Sequence, residues 1–164
     1  MQIPSKARAV IIGGGVIGCS IAYHLGKLGW KDVVLLERKQ LTCGTTWHAA
    51  GLIAQLRATQ NMTRLAKYSQ ELYFGLEAET GVATGFKRNG SITVALTDER
   101  MEELRRSAAM ARAFGVEIDE ITPDDIAGRY PGLATGDVVG GVWLPKDGQA
   151  DPVNITQALA KGAR

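Results

Sequence analysis

Residues 13–18 read GGGVIG, and this hexapeptide constrains the fold more than any other stretch of the chain. It fits the spacing G-x-G-x-x-G at Gly13, Gly15 and Gly18. The spacing alone is a weak signal; its surroundings make it specific. Ala7 to Ile12, rich in Val and Ile, reads as a buried strand. Val16 to Leu28 carries Ile17, Ile21, Leu25 and Leu28 at helical spacing, expected as the buried face, and Gly29 stops the helix. Val33 to Leu36 is a second continuous apolar run. Continuous rather than alternating apolar strands imply burial on both faces, and hence a parallel sheet. A strand–helix–strand unit of this length is a right-handed crossover. The expected fold class is α/β.

Each glycine has a physical reason in such a unit. Gly13 allows the tight turn, Gly15 lets the backbone approach a pyrophosphate, and Gly18 lets helix and strand pack closely. The phosphates would rest on the helix N-terminus, at Val16 and Ile17, where free N–H groups and the helix dipole favour anions. Glu37 ends the second strand, where a carboxylate can accept hydrogen bonds from a ribose hydroxyl and repel an additional 2′-phosphate. Arg38 stands beside it. An ADP moiety is the ligand this arrangement implies, and the loop leaves NAD and FAD both open.

Composition narrows the alternatives. The 164 residues carry 19 Lys+Arg against 17 Asp+Glu, with no long basic run and few aromatics, so a nucleic-acid surface is not indicated. The run AVIIGGGVIGCSIA is short and broken by glycine, so no membrane span is expected. The two cysteines, Cys19 and Cys43, read as small apolar fillers. Together with a start that shows no secretory or transit character, they point to a cytoplasmic compartment. No metal site is suggested.

The rest of the chain alternates helices and strands. Met62, Leu65, Ser69, Leu72 and Leu76 mark a helix running to Gly81. Ile92, Val94 and Leu96 alternate as in a half-buried strand. Asp98 to Phe114 is a charged helix with Met101, Leu104, Ala108 and Ala111 inward, ended by Gly115. Thr122-Pro123-Asp124-Asp125 offers an N-cap, a proline at the first helical position and an acid at the third. Val138 to Leu144 is another strand, and Asp151-Pro152 opens a last helix. A parallel sheet with two early strands calls for a third, so the chain reads as the N-terminal piece of a longer protein.

Residues 43–51 read CGTTWHAAG and follow the carboxyl end of the second strand, the edge where open α/β sheets bind ligands. Gly44, Ala49, Ala50 and Gly51 keep this path narrow, so a flat ring system can lie against the backbone. Thr45 and Thr46 offer hydroxyls. His48 stands outside the predicted helices, whereas His24 lies on the first helix in a structural position.

The stretches GGGVIGCSIAYHLGKLGWKDVVLLER and LTCGTTWHAAGL resemble the dimethylglycine and sarcosine dehydrogenase family, FAD-dependent oxidoreductases of the D-amino-acid-oxidase-like group. The likeness continues through RNGSITVAL, AFGVE, RYPGL and LPKDGQADP, so it covers the whole chain. It implies FAD, carried covalently through the flavin 8α-methyl carbon by the histidine of the TTWHAAG stretch, here His48. A neutral imidazole, with its pKa of about 6.5, is a competent nucleophile for that bond. Trp47 would lie near the flavin or pack in the core, and Cys43 is a weaker rival attachment point.

The resemblance further implies oxidation of an N-methyl amine, sarcosine or dimethylglycine, by hydride transfer to the flavin. The acceptor would be an electron-transfer flavoprotein or oxygen. The one-carbon unit would leave as formaldehyde or pass to a folate on an absent C-terminal region. Arg57 and Arg64 read as solvated surface charges, and the substrate-holding residues are expected beyond residue 164. By the same resemblance the Rossmann-like FAD-binding domain is discontinuous. Residues 1–84 form its first part, 85–147 begin an inserted antiparallel substrate domain, and 148–164 are the return helix. Two further readings stay open: an NAD-dependent Rossmann dehydrogenase, and a non-catalytic dinucleotide-binding fragment that is inactive on its own.

Overall fold

The computed structural model describes residues 4–164. The elements in chain order are β1 (Ala9–Ile12), α1 (Val16–Lys27), β2 (Val33–Leu36), a 3₁₀ turn (Thr45–His48), β3 (Leu52–Ile53), α2 (Gln60–Thr80) and β4 (Ser91–Ala95). They continue with α3 (Asp98–Ala113), β5 (Asp119–Ile121), α4 (Pro123–Arg129), β6 (Gly140–Leu144), β7 (Gly148–Gln149) and α5 (Pro152–Gly162). The chain divides into two compact units. The first contains the chain up to Leu52, Glu71–Phe86 and Gln149–Arg164. The second contains Ile53–Gln70 and Lys87–Gly148. The division drawn from sequence differs over residues 53–70, which cluster with the second unit, and at the borders, where 85–86 cluster with the first unit and 148 with the second.

In the first unit β1 and β2 pair in parallel, with Ala9 opposite Val33 and Ile12 opposite Leu36. The connection is α1, as the crossover reading requires. The helix stops in a Schellman motif: Gly29, at φ 76°, donates its N–H to Gly26 O, and Trp30 donates to Leu25 O, both at 2.9 Å. Its buried face differs from the expected one. Gly18, Cys19 and Tyr23 are buried, whereas Ile17 and Leu28 are nearly three-quarters exposed. Small residues, rather than the large aliphatic ones, are what let α1 approach β1 and α5. Likewise one face of the strand pair is open: Ile11 is buried, while Val10, Ile12 and Leu36 are exposed. Burial on both faces, expected from the continuous apolar runs, is therefore absent among the described residues, because the helices of this unit lie on the Ile11 face.

α5 packs against α1. Asp151 caps it, accepting from the N–H groups of Val153 and Asn154 at 2.8 and 3.1 Å, and Pro152 occupies the first turn. Near its C-terminus Gly162 lies under the Tyr23 ring, where a Cβ would come within 2.8 Å of ring carbon. The Tyr23 hydroxyl reaches both Glu79 carboxylate oxygens at 2.8 Å, tying α1 to the end of α2.

In the second unit three strands form an antiparallel sheet in the order β4-β6-β5. Met101, Leu104, Ala108 and Ala111 of α3 cover one face with Ala95, Val142 and Leu144, matching the expected inward stripe. Ile126 of α4 covers the other face with Ile121, Val138, Ile92 and Trp143. Leu96 falls beyond the end of β4 and is exposed. Thr122 and Asp125 form the full capping box of α4. A buried polar knot joins the loops of this unit. Asp147, 3% exposed, accepts from Gln55 N–H at 2.9 Å and from the Ser91 hydroxyl at 2.7 Å. The Gln55 side chain donates to Gln70 Oε1 at 2.6 Å, and Gln70 in turn donates to Lys146 O. On this stretch of α2 Thr63 and Gln70 are buried, while Met62 and Leu65, whose spacing marked the helix, are exposed. No helix among the described residues is long and apolar enough to cross a membrane.

Candidate functional site

The glycine loop leaves β1 through Gly13, which has φ 109° and donates its N–H to Leu36 O at 2.8 Å, extending the parallel pairing by one bond. Gly15 is the N-cap of α1 in extended backbone. Gly18 faces back onto the loop: a Cβ there would lie 1.9 Å from Gly13 O. No side chain fits that gap, which is the close helix–strand approach that the spacing implies. Val16 and Ile17 form the first turn of α1, with Ile17 exposed.

Glu37 follows β2 directly. Its Oε2 accepts the Gly14 N–H at 2.8 Å and its Oε1 accepts the Lys39 N–H at 3.0 Å. The Gly14 amide, then the Lys39 amide, hold the carboxyl below its ordinary value, with smaller contributions from the Arg38 amide and its positive charge. Glu37 is therefore an ionised acceptor in a preset orientation at the end of the sheet. Arg38 is exposed beside it.

From Glu37 the chain curls back over the loop. Thr42 donates its N–H to Gly14 O at 2.9 Å. The 3₁₀ turn then begins after Gly44, which is exposed with open space around it. Thr46 is buried, and its Oγ1 accepts the Val16 N–H at 3.0 Å, so it caps α1 from outside the helix. Thr45, Trp47 and His48 are exposed. His48 thus sits at the end of a single helical turn rather than in open loop, its ring 4.0 Å from that of Trp47. The exposure of Trp47 places it outside the core. Gly51 is buried with φ 78°, and a Cβ there would collide with Ala150 O at 2.1 Å. The Cys43 thiol lies 3.9 Å from Glu37 Oε1, and Cys19 is fully buried, its thiol pushed up by burial and by the Glu37 charge. His24 bonds back to Ser20 O at 2.7 Å within α1. Arg57 and Arg64 are exposed in the second unit.

The structure thus gathers Gly13, Gly15, Val16, Gly18, Glu37 and Thr46 around the first turn of α1. Sequence reasoning missed Gly14, Leu41 and Thr42. The signal was the third glycine: the motif needs two in GGG, and the chain has three. A cleft of about 550 Å³ between β2, α1 and α5 is lined by Ala22, Trp30, Val33 and Leu35 and shares Glu37 and Leu41 with the site. It lacks the loop amides and is not the anion-binding end. Among the described residues no group of three His, Cys, Asp or Glu side chains could hold a metal ion.

A dinucleotide fits the residues present. The loop presents backbone rather than side chains, the gap at Gly18 tolerates no Cβ, and an ionised carboxylate stands ready at the end of β2.

Comparison with known proteins agrees with this geometry. The family model "FAD dependent oxidoreductase" (DAO) matches residues 8–164. Human mitochondrial dimethylglycine dehydrogenase is 44% identical over 163 residues, 99% of this chain and 19% of that protein. Human mitochondrial sarcosine dehydrogenase is 40% identical over 162 residues, 98% of this chain and 18% of that protein. The mouse mitochondrial pyruvate dehydrogenase phosphatase regulatory subunit is 39% identical over 163 residues, 99% of this chain and 19% of that protein. The chain thus spans less than a fifth of the length of these relatives. Among solved structures, L-proline dehydrogenase from P. horikoshii superposes with a TM-score of 0.91 at 32% identity, over 98% of this chain and 42% of that one.

Proposed function

Because the chain belongs to the FAD dependent oxidoreductase family, we propose that it is the dinucleotide-binding part of a flavoenzyme that oxidises an N-methyl amino acid, sarcosine or dimethylglycine. The family decides between the two dinucleotides that the loop left open. The two dehydrogenases at 44% and 40% identity support the substrate class. Bound FAD supplies a two-electron acceptor for the hydride of the N-methyl carbon, to be emptied by an electron-transfer flavoprotein or oxygen.

The chain's own residues have distinct tasks in this reading. Gly13 makes the turn, and Gly15 with the first-turn amides at Ile17 and Gly18 takes the pyrophosphate; the Val16 N–H, expected to be free for it, is instead engaged by Thr46 Oγ1. Glu37, held ionised and oriented by the Gly14 and Lys39 amides, accepts the ribose hydroxyls. Arg38 offsets the charge of Glu37. Gly44, Thr45, Thr46 and Gly51 shape the narrow path along the segment after β2, and His48 supplies the imidazole nitrogen for covalent attachment. The second unit, with its antiparallel sheet, would begin the substrate domain. A folate site, if the parent has one, lies on other parts of it.

The observation that carries the reading is the bond from Val16 N–H to Thr46 Oγ1. It ties the turn that bears His48 to the glycine loop itself. The test is a denaturing gel of the full-length protein viewed under ultraviolet light after acid treatment, with His48→Ala beside it. A fluorescent band that the variant lacks is expected. A dark band in both removes the histidine link, and a native protein without flavin colour removes the flavoenzyme.

A second reading draws on the mouse regulatory subunit, as similar as the dehydrogenases over the same stretch. The parent would then be a regulatory protein that oxidises no amine. Dye reduction by the native holoprotein with sarcosine or dimethylglycine separates the two: a flavin-containing protein that is inert to both favours this one.

A further inference from the structure

We infer that residues 37–46 form a strap that holds the glycine loop in its ligand-ready shape, with Gly14, Leu41 and Thr42 as the positioning residues; this rests on FAD being the ligand of the loop. Gly14 occupies a place in G-x-G-x-x-G where the spacing sets no residue. In this chain it is buried, and its backbone is used on both sides. Its N–H goes to Glu37 at 2.8 Å, and its carbonyl accepts the Thr42 N–H at 2.9 Å and the Cys19 thiol at 3.7 Å. A Cβ on Gly14 would lie 2.5 Å from Leu41 Cδ2 and 3.1 Å from Glu37 Cβ. The strap therefore closes on the loop so tightly that a Cβ at Gly14 would have to displace the Leu41 side chain and press on Glu37.

Thr42 is an independent sign of the same device. It is buried, β-branched and at φ 74°, a region such residues rarely adopt. A residue held there persists only when its surroundings over-determine it. Here it carries the amide that reaches the Gly14 carbonyl. Four residues on, the Thr46 hydroxyl takes the Val16 N–H. The loop is thus pinned at Gly14 N–H, Gly14 C=O and Val16 N–H by one continuous segment, through bonds made wholly within the chain. Binding then needs little reordering of the loop, which is how preorganisation raises affinity.

The test is a double-mutant cycle in the full-length protein, in a His48→Ala background so that FAD exchanges freely. FAD dissociation constants are read from quenching of flavin fluorescence for the background, Gly14→Ala, Leu41→Ala and the double variant. Gly14→Ala is expected to weaken FAD binding about ten-fold, because the Leu41 side chain must be displaced and the contact between strap and loop repacked. In the Leu41→Ala background the same substitution is expected to cost less than about two-fold, because the obstructing methyl is gone. If Gly14→Ala does not fold, the double variant compared with Leu41→Ala alone decides. A Gly14→Ala protein that binds FAD like its background overturns the inference. So does a loss, of binding or of folding, that Leu41→Ala does not relieve. A background protein that binds no FAD instead refutes the choice of ligand, so the two failures are distinguishable.

Discussion

Gly18 and Gly75 make a matched pair, because alanine at the two positions should act with opposite sign. At Gly18 the added Cβ would lie 1.9 Å from Gly13 O and 3.1 Å from Gly13 C. An ordinary carbon–oxygen contact is about 3.3 Å, so roughly 1.4 Å must open between two stretches of backbone. Neither can yield cheaply. Gly13 is bonded to Leu36 O, and α1 is held at its far end by its Schellman motif and by Tyr23 on Gly162. Overpacking of this kind costs about 1–3 kcal/mol, and a backbone obstruction belongs at the upper end. The entropic gain of alanine over glycine returns about 0.5–1 kcal/mol, which leaves a net loss of about 2 kcal/mol. At Gly75, in the middle of α2, nothing lies within 4 Å of the added carbon. Only the helix-propensity gain remains there, up to about 1 kcal/mol. Thermal unfolding of the full-length protein, with and without FAD, reads both: Gly18→Ala lowers the midpoint and loosens FAD, and Gly75→Ala raises or preserves it. A Gly18→Ala protein that melts and holds FAD like the parent would refute the close-packing argument, as would shifts of the same sign.

Two further outcomes can be checked directly. The Glu37 carboxyl is held below its ordinary value of 4.5, so its contribution to stability is complete above that value and is lost as pH falls through the lower folded value. On acid titration by circular dichroism the parent should therefore lose stability over that interval more steeply than Glu37→Gln; parallel curves would contradict the assigned cause. Asp147→Ala leaves the Gln55 N–H and the Ser91 hydroxyl without an acceptor in a buried site and should cost about 2–4 kcal/mol. Ser91→Ala, which removes its own donor, should cost about 1 kcal/mol, and equal urea midpoints for the two would dissolve the network argument.

Local patterns were legible in the sequence, and distant partners were not. The β1–α1–β2 crossover, the inward stripe of α3 and the capping box of α4 each depend on neighbours a few residues apart, and the structure has all three. The buried face of α1 was misread because large aliphatic residues mark a helical stripe more loudly than Gly18, Cys19 and Tyr23. What favours the second stripe is close approach to β1 and α5, and nothing local announces it. In α2 the polar Thr63 and Gln70 are buried because Gln55, Lys146 and Arg57 meet them, partners that lie outside the helix. At the candidate site Gly13, Gly18 and Glu37 could be read because the motif carries its own geometry. Gly14 was signalled only by being a third glycine in GGG, and Thr42 not at all. A threonine at positive φ has no signature in sequence, and the need for glycine at position 14 arises from Leu41, which reaches it only once the strap has folded back.

The bonds that shape the loop share one property, which bears on how the histidine is placed. Gly13 to Leu36, Gly14 to Glu37, Thr42 to Gly14 and Val16 to Thr46 all run between the loop from β1 into the start of α1 and the segment from the last residue of β2 to the 3₁₀ turn. None involves the face of the strand pair on which Val10 and Ile12 are exposed. The shape of the loop is therefore set inside the crossover and its strap. The same reasoning extends along the 3₁₀ turn. Thr46 is the buried member of TTWH, and the exposed His48 follows it by two residues in one short hydrogen-bonded turn. A turn of that length has little freedom once one of its residues is fixed. The turn that carries the imidazole is thus anchored by a neutral hydroxyl bonded to a helix N-terminus. In the flavoenzyme reading, the anchor that caps the phosphate-binding helix also holds the turn on which the flavin-bearing residue would stand.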